Sequence, residues 1–256
     1  MTRNFFFPAG DFFNPFFIPA VLLACFPAFG LFADAQADAR EAGAEDGKWI
    51  TLRQEMVTVL ERYGIRDKVV LDAMRKVKRH MFIPERYRSA RTAYGDHPVA
   101  IGYDQTISQP FIVAYMTEQL RVGKGDKILE IGTGSGYQAA VLAECGAEMF
   151  SIEIIPELAE HATRALRGEG YRQVKVKCAD GYAGWREYAP FDAIIVTCAP
   201  EKIPQALADQ LKDGGRMILP LGETGVQRLV VVTKEDGKIG IKDDLPVRFV
   251  PMVHGQ

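Results

Sequence analysis

Residues 127–137 read KILEIGTGSGY, and this stretch decides the fold of the chain. A short apolar run carries an acid, Glu130, near its end, and Gly132, Gly134 and Gly136 then alternate with small hydroxyl residues. A helical pattern follows at once. Glycines at this spacing let the backbone turn tightly and bring a ligand close to main-chain N–H groups. The stretch therefore predicts a strand, a ligand-binding loop and a helix in direct succession.

The spacing of the glycines narrows the choice of ligand. A dinucleotide-binding loop has the pattern G-x-G-x-x-G and places a pyrophosphate at a helix N-terminus, whereas this loop reads G-x-G-x-G. A carboxylate at Glu130 would repel a pyrophosphate but suits a ligand that bears ammonium and sulfonium charges. S-adenosylmethionine (SAM) is such a ligand. The loop alone leaves an ordinary strand-to-helix turn open as the alternative.

Acids also close the next two strand patterns. Glu153 ends the run from 149 to 153, and Asp180-Gly181 follow the run that ends at Cys178. In an open α/β sheet, ligands lie beyond the carboxyl ends of the strands. A carboxylate at Glu153 can accept hydrogen bonds from both ribose hydroxyls, one at Asp180 can meet the adenine amine, and Gly181 allows close approach. Each acid alone is more often a cap or a surface residue, but three in register favour a SAM site.

The hydrophobic pattern predicts the architecture around this site. From Pro110 onward, helical patterns alternate with apolar strand patterns, which is typical of a doubly wound α/β fold with a mostly parallel, seven-stranded sheet. Two helical periodicities between Leu52 and Val77 predict a helical prelude before the sheet. Residues 85–109 look irregular. The end of the chain predicts consecutive strands at 228–233, 238–241 and 247–252, with a hairpin turn at 235–237.

Residues 102–110, GYDQTISQP, form the second informative stretch. Ser108 suits the N-cap position of a helix whose first turn contains Pro110, and sequence logic favours this structural role. Hydroxyl and amide groups nevertheless cluster here, just before the helix that leads into the cofactor strand. This placement also puts Ser108 at the methyl-transfer face, and a capping serine can contact a substrate as well.

Composition argues against several functional classes. The 256 residues carry 31 Lys and Arg against 33 Asp and Glu, a formal net charge of −2, so nothing marks a dedicated nucleic-acid binder. The 4 cysteines are scattered without a C-x-x-C pair, and the 4 histidines share no metal-ligand spacing. The sequence therefore predicts neither a zinc site nor a disulfide framework, and we expect no metal.

Residues 1–47 differ from the rest of the chain. Arg3 precedes an aromatic and apolar stretch, and Ala33-Asp34-Ala35 offers a small-residue cleavage pattern, so the segment resembles a secretory signal peptide. Prolines interrupt it, which disfavours a stable membrane span. An extension from an upstream start codon is the other explanation. Residues 34–48 read as a flexible linker, and we expect residues 48–256 to form the SAM-dependent domain.

The chain resembles the protein-L-isoaspartate O-methyltransferases from about Trp49 to Val253. The TISQP segment at 106–110 is the most specific part of the resemblance, and its pairing with the glycine loop decides the identification. Further shared motifs are RHMFIP at 79–84, ADG at 179–181, GGRMILP at 214–220 and RFVP at 248–251.

The resemblance implies an activity and a set of roles. Members of the family are class I, Rossmann-like SAM-dependent methyltransferases that methylate the carboxylate of L-isoaspartyl residues in damaged proteins and peptides, which starts their repair. A carboxylate with a pKa near ~4 is ionised at neutral pH, so such a site needs no general base. The implied roles are Ser108 at the reacting centre, Thr106 and Gln109 beside it, Val250 and Pro251 along the peptide groove, Glu153 at the ribose, Asp180 and Gly181 at the adenine, Glu130 at the methionine end, and Gly132, Gly134 and Gly136 around the pocket.

Two other functions stay open at this point. One is a methyltransferase of the same fold that acts on RNA or a small molecule, and the other is a non-catalytic, exported binding protein. Because SAM is made in the cytoplasm, we expect a cytoplasmic monomer whose partners are isoaspartyl-containing proteins and peptides. The signal-like segment keeps export to the periplasm as the alternative location.

Overall fold

The computed structural model describes residues 29–223, 225 and 227–255, with side chains from residue 46 onward. The chain divides into two compact units, residues 1–44 and 45–256. Most of the predicted leader, residues 1–28, lies outside the described residues. The backbone of residues 34–48, for which the composition predicted a linker, is helical. No helix in the described part of the chain is both long and apolar enough to cross a membrane.

Helices and strands alternate through most of the second unit. The helices are α1 Phe29–Arg62, α2 Lys68–Lys76, α3 Ala90–Tyr94, α4 Pro110–Leu120, α5 Tyr137–Glu144, α6 Pro156–Gly168 and α7 Gln205–Gln210. The strands are β1 Val99–Gly102, β2 Gln105–Ile107, β3 Lys127–Ile131, β4 Glu148–Glu153, β5 Lys175–Cys178, β6 Phe191–Val196, β7 Leu211–Leu221, β8 Gln227–Glu235 and β9 Lys238–Val247.

The predicted doubly wound, mostly parallel sheet is confirmed. In the described part of the chain, seven strands pair in the order β5-β4-β3-β6-β7-β8-β9. The pairs from β5 to β7 are parallel, and β8 and β9 extend the sheet beyond β7 through antiparallel pairs. The chain leaves β3 toward β4 and β5, then returns to β6 on the other side of β3. The carboxyl ends of β3 and β6 therefore form the switch point at which ligands bind in such sheets.

Two hydrophobic layers cover the sheet, and β3 contributes side chains to both of them. Ile128 packs in a cluster with residues of α2, α4 and α5, whereas Leu129 and Ile131 pack in a second cluster with residues of β6, β7 and α7. Neighbouring side chains of a strand point to opposite faces, so buried apolar residues at both Ile128 and Leu129 are the pattern expected for a sheet covered on both sides. This burial fixes the strand ends that carry the loops of the site.

Two predictions about the segments outside the parallel core were wrong. Residues 85–109 contain α3 and a β1–β2 hairpin, whose strands are too short to show a periodicity. The stretch 247–252 is not a separate strand: β9 ends at Val247, and beyond it only an isolated bridge joins Ala199 and Pro251. The Ala199 amide donates to the Val250 carbonyl and the Met252 amide donates to the Ala199 carbonyl, so the stretch after β9 bonds to the segment that follows β6 and not to β8. The hairpin turn predicted at 235–237 is confirmed by the pairing of Glu235 with Lys238.

Candidate active site

A cavity of about 310 Å³ opens at the carboxyl ends of β3, β4 and β6. Residues 132–135 of the glycine loop form one side of it, called here the loop wall. Residues 104–107 of the β1–β2 hairpin and Ser108 directly after it form another side, called here the hairpin wall. The C-terminal stretch 250–253 and the β6 end residues Thr197 and Cys198 complete the lining. The cavity thus lies at the switch point of the sheet.

Gly132 has a conformation that no other residue type can adopt here without strain. Its φ is +94°, and a Cβ at this position would lie 2.5 Å from Thr197 Oγ1. The Thr197 hydroxyl donates to the Gly132 carbonyl at 2.6 Å, while the Gly132 and Thr133 amides both donate to the Ile152 carbonyl. The loop wall is therefore held by β4 and β6 together, and glycine is required for the close approach.

The other two loop glycines serve different purposes. Gly134, with φ at +53°, lines the cavity as predicted. Gly136 does not line it: this residue is the N-cap of α5, and a Cβ there would lie 3.2 Å from Leu166 Cγ on α6. Gly136 therefore allows α5 to pack closely against α6, which is the helix-packing use of a third glycine in such loops.

Glu153 lines the cavity and also supports the loop wall. Its Oε2 accepts a hydrogen bond from the Gly134 amide at 2.7 Å, and its Oε1 accepts one from the Ile155 amide at 3.0 Å. A carboxylate has further lone pairs beyond these two bonds. Glu153 can therefore hold the loop and still accept a hydrogen bond from a ligand hydroxyl.

Glu130 lies outside the cavity, in contrast to the prediction that it faces the methionine end. The pleat of β3 turns this side chain away from Ile131, which does line the cavity, and the carboxyl group is fully buried. It accepts a hydrogen bond from the Ser151 hydroxyl, which lies 2.6 Å from Thr133 Oγ1. Burial raises the pKa of Glu130 to about 8, so the group is mostly neutral at pH 7 and supports the loop wall from below.

Asp180 and Gly181 are neighbours in the sequence but have different positions relative to the cavity. Gly181 lines the cavity, and a Cβ there would lie 2.4 Å from Ile131 Cγ2. Asp180 does not line it, although adenine contact was predicted. Its Oδ1 accepts from the Tyr182 amide at 2.8 Å, and its Oδ2 lies 3.2 Å from both His254 Nδ1 and the Gly255 amide.

The hydrogen bonds of Asp180 set its charge state. Partial burial alone would raise the pKa of this carboxyl, but the Tyr182 and Gly255 amides and His254 outweigh it and hold the pKa below its usual value. Asp180 is therefore an anion at neutral pH. It anchors the C-terminal stretch, which supplies residues 250–253 to the cavity lining.

Ser108 lies at the meeting point of the cavity and a neighbouring groove. The groove has a volume of about 670 Å³ and shares five lining residues with the cavity, namely Thr106, Ser108, Ile112, Thr197 and Val250. Val250 was predicted for the peptide groove, and it lines both spaces. Pro251 lines the cavity alone, and Gln109 lines the groove alone. Of the four residues predicted to contact the substrate, Thr106 and Val250 therefore line both spaces, as does Ser108, the residue predicted for the reacting centre.

The prediction that Ser108 caps α4 was wrong. The N-cap residue of α4 is Gln109, with Pro110 in the first turn, and Gln109 makes no side-chain capping bond. The Phe111 amide in the first turn instead donates to Asp96 Oδ1 at 2.8 Å. The cap thus comes from a residue far earlier in the chain, which no local pattern could indicate.

Sequence reasoning also missed Thr197 and Cys198. Both follow β6 directly and line the cavity, so the strand-end rule that selected Glu153 could have found them. Burial raises the pKa of the Cys198 thiol to about 12, which excludes a thiolate nucleophile at neutral pH. Across the described residues, no cluster of His, Cys, Asp or Glu side chains is arranged to hold a metal.

The lining suits a nucleoside bound to an amino acid through a sulfonium centre. Gly132, Gly134 and Gly181 line the cavity without a side chain, Glu153 offers a carboxylate acceptor, and apolar residues such as Ile152 add further surface. SAM fits this donor set. A seven-stranded, mostly parallel sheet with a glycine loop after β3 and an acid ending β4 defines a class I, Rossmann-like SAM-dependent methyltransferase.

Comparison with known proteins narrows this class to one family. The family model described as Protein-L-isoaspartate(D-aspartate) O-methyltransferase (PCMT) matches residues 51–256, and the chain belongs to this family. A protein-L-isoaspartate O-methyltransferase of Gloeobacter violaceus is 57% identical over 190 residues, which cover 74% of this chain and 92% of that protein. A protein of the same name from Methanospirillum hungatei is 50% identical, with 80% of this chain and 94% of that protein covered.

Solved structures agree with the family match. One protein-L-isoaspartate O-methyltransferase superposes with a TM-score of 0.72 at 29% identity and covers 78% of this chain. The match covers 65% of that solved chain, so this protein spans just under two thirds of its length. A Plasmodium falciparum protein of the same description, solved with S-adenosyl-L-homocysteine, superposes with a TM-score of 0.69 at 25% identity, covering 78% of this chain and 98% of that one.

Proposed function

We propose that this protein transfers a methyl group from SAM to the free carboxylate of L-isoaspartyl residues in damaged proteins and peptides, which initiates their repair. Membership of the PCMT family supports this function. The observation that carries it is the junction at Ser108, where a cavity suited to SAM meets an open groove. A donor in the cavity and a peptide in the groove would meet at this residue.

The geometry fits a reaction that needs alignment more than proton transfer. SAM, when bound, supplies a methyl group already activated by the positive sulfur. An isoaspartyl carboxylate is ionised at neutral pH, so no general base is required. The protein's tasks are to orient the two reactants and to exclude water from the carboxylate. The hydroxyl groups of Ser108 and Thr106 can orient the carboxylate by donating hydrogen bonds, and the apolar Ile112 and Val250 beside them exclude water.

The remaining site residues have supporting roles in this proposal. Glu153 holds the ribose, and Gly132, Gly134 and Gly181 shape the space for the nucleoside. Glu130, Gly136 and Asp180 act from outside the cavity, through the loop wall, α5 and the C-terminal stretch. Gln109 and Pro251 complete the groove and the cavity on the substrate side.

A pair of matched peptides tests the proposed function. The purified protein is incubated with methyl-labelled SAM and an isoaspartyl peptide, beside the same peptide with a normal aspartyl residue. We expect label that is released by mild base on the isoaspartyl peptide alone. Equal labelling of both peptides, or labelling of RNA instead, would contradict the proposal.

We further propose that the protein works as a monomer in the cytoplasm, where SAM is made. The alternative is export directed by residues 1–47. N-terminal sequencing of the native protein after cell fractionation distinguishes the two, since an exported form would begin after the small residues at 33–35. Light scattering of the purified protein measures the oligomeric state.

A further inference from the structure

The segment that carries Ser108 is anchored on both sides. Before it, Ile107 of β2 pairs with Val99 of β1. After it, the Phe111 amide donates to Asp96 Oδ1 at 2.8 Å. Only residues 108–110 lie between these two anchors. The position of Ser108 therefore depends directly on where Asp96 holds the start of α4.

Asp96 also receives the side chain next to Ser108. Gln109 Nε2 lies 3.4 Å from Asp96 Oδ2, at the long end of hydrogen-bond distances. Gln109 lines the groove alone, whereas Ser108 lines both the groove and the cavity. Because Asp96 serves the helix end and Gln109, the Ser108 side chain is not needed as the cap of α4.

Asp96 itself sits in a tightly built turn. Gly95 precedes it, and a Cβ at Gly95 would lie 2.6 Å from the Arg91 carbonyl oxygen and 2.8 Å from His97 Nε2. α3 ends just before this turn and is fixed by a capping box between Ser89 and Thr92. The carboxylate of Asp96 is thus presented from a turn with little freedom to move.

We propose that Asp96 is a positioning residue for methyl transfer, which holds the first turn of α4 and thereby places the Ser108 hydroxyl at the junction of cavity and groove. This inference rests on the proposed role of Ser108. It adds to that role a residue outside both the cavity and the groove.

Asp96 also acts electrostatically on the buried side chain of Arg79, apart from its hydrogen bonds to α4 and Gln109. The Arg79 side chain is fully buried, and its guanidinium nitrogens have no hydrogen-bond partner among the described residues. Burial lowers the pKa of Arg79 to about 10, and the nearby Tyr137, Tyr94 and Asp96 groups oppose this fall. The experiment therefore has to separate loss of the hydrogen-bond acceptor from loss of the negative charge.

The first comparison sets Asp96→Ala against a matched cap elsewhere. Asp67 is the N-cap of α2 and accepts from the Val69 amide at 2.8 Å. Each alanine variant loses one aspartate cap, so we expect each to lower the Tm by about 2–4 °C. Only Asp96→Ala should also lower kcat on the isoaspartyl peptide, by about 10²-fold, because misplacement of an orienting group by about 1 Å has effects of this size. Calorimetric affinity for S-adenosylhomocysteine should stay within about twofold in both variants, as neither aspartate lines the cavity.

Two further variants separate position from charge and do not depend on Asp96→Ala being folded. Asp96→Asn keeps the acceptor and removes the charge, and kcat should stay within about threefold of the original because Asn and Asp are equally good caps. Asp96→Glu keeps the charge and moves the acceptor, and kcat should fall at least about tenfold. The reverse ranking of these two variants would overturn the proposal.

A double-mutant cycle identifies the residue through which Asp96 acts. In a Ser108→Ala background, Asp96→Ala should lower kcat by less than about twofold, since the group it positions is already gone. Full additivity of the two effects, or an original kcat in Asp96→Ala, would refute the inference about Asp96 alone. An original kcat in Ser108→Ala would remove the proposed role of Ser108. Absence of methyl transfer to the isoaspartyl peptide by the unmutated protein would instead refute the proposed function, so the failures are distinguishable.

Discussion

The two walls of the cavity are held in different ways. The loop wall is hydrogen-bonded to two neighbouring segments, because the Gly132 and Thr133 amides donate to the Ile152 carbonyl of β4 while the Thr197 hydroxyl, just after β6, donates to the Gly132 carbonyl. The hairpin wall is paired mainly with β1 of its own hairpin, from Val99 with Ile107 to Gly102 with Gln105. At its base it depends on one carboxylate, that of Asp96. A wall within the sheet is thus fixed by the fold, whereas a wall on an added hairpin is fixed by single contacts.

The difference has a consequence for catalysis. Damage to the loop wall should act on cofactor affinity and stability, whereas damage to the hairpin wall should act on kcat and leave cofactor affinity intact. Variants in each wall test this division.

Gly132→Ala should have the largest effect. A side chain here is strained by about 1–3 kcal/mol at a positive φ, and its Cβ would lie 2.5 Å from Thr197 Oγ1. We expect affinity for S-adenosylhomocysteine to fall by about 10³-fold in calorimetry. Gly214→Ala is the control, because φ at Gly214 is +79° but no atom lies within 4 Å of an added Cβ. Equal affinity in the two variants would show that neither strain at Gly132 nor the contact with Thr197 weakens cofactor binding.

Glu130→Gln should change the pH dependence of stability. The pKa of Glu130 is raised from 4.5 to about 8 in the folded protein. Between these values the folded state keeps a proton that the unfolded chain releases, so this group makes the protein less stable as pH rises through the window. Gln carries no titrating proton. The decrease in the free energy of unfolding between about pH 5 and about pH 8 should therefore be smaller in Glu130→Gln, by an amount on the order of 3 kcal/mol. Urea unfolding of both proteins measures it, and parallel pH curves would show that Glu130 is ionised in the folded state.

Ser108→Ala tests the hairpin wall. We expect kcat to fall by about 10²-fold, as for the loss of an orienting hydrogen-bond donor, with affinity for S-adenosylhomocysteine unchanged within about twofold. Asp67→Ala, which removes the cap of α2 outside the cavity, is the control and should lower stability without this loss of kcat. A loss of cofactor affinity equal to the loss of kcat would break the division between the walls.

Thr197→Val should have the smallest effect. Valine keeps the shape of threonine and removes the hydroxyl that donates to the Gly132 carbonyl at 2.6 Å. Loss of one hydrogen bond costs about 1 kcal/mol, so affinity for S-adenosylhomocysteine should fall by about fivefold to tenfold. Thr197→Ser keeps the hydroxyl and should bind like the original. If serine weakens binding while valine binds like the original, the methyl group and not the hydroxyl of Thr197 is what matters.

Much of the sheet and the loop wall could be predicted from the sequence. α4 begins at Pro110, and β3, the glycine loop and α5 follow one another directly, as the sequence predicted, because apolar periodicity, Pro110 and the glycine spacing act within a few residues of the chain. Gly132, Gly134, Glu153 and Gly181 line the cavity as predicted. The contacts of these residues with the cofactor belong to the proposed function.

The hairpin wall was harder to predict. Its turn residues, Tyr103 and Asp104, both have a positive φ, at 53° and 54°. This suits a two-residue hairpin turn but lacks the Asn-Gly or Asp-Gly signature by which such turns are recognised. The strands on either side are too short for an alternating pattern. Ser108 was therefore predicted as a cap, when the acceptor at the end of α4 lies on Asp96.

The order of residues alone determined the class of fold, the position of the glycine loop and the family, because those signals are local and repeat along the chain. Only the tertiary structure decided which predicted acids reach the cavity. The pleat of β3 turns Glu130 into the protein interior, and the C-terminal stretch takes up the carboxylate of Asp180. Both outcomes depend on contacts between residues far apart in sequence, whose partners are fixed only when the sheet has folded.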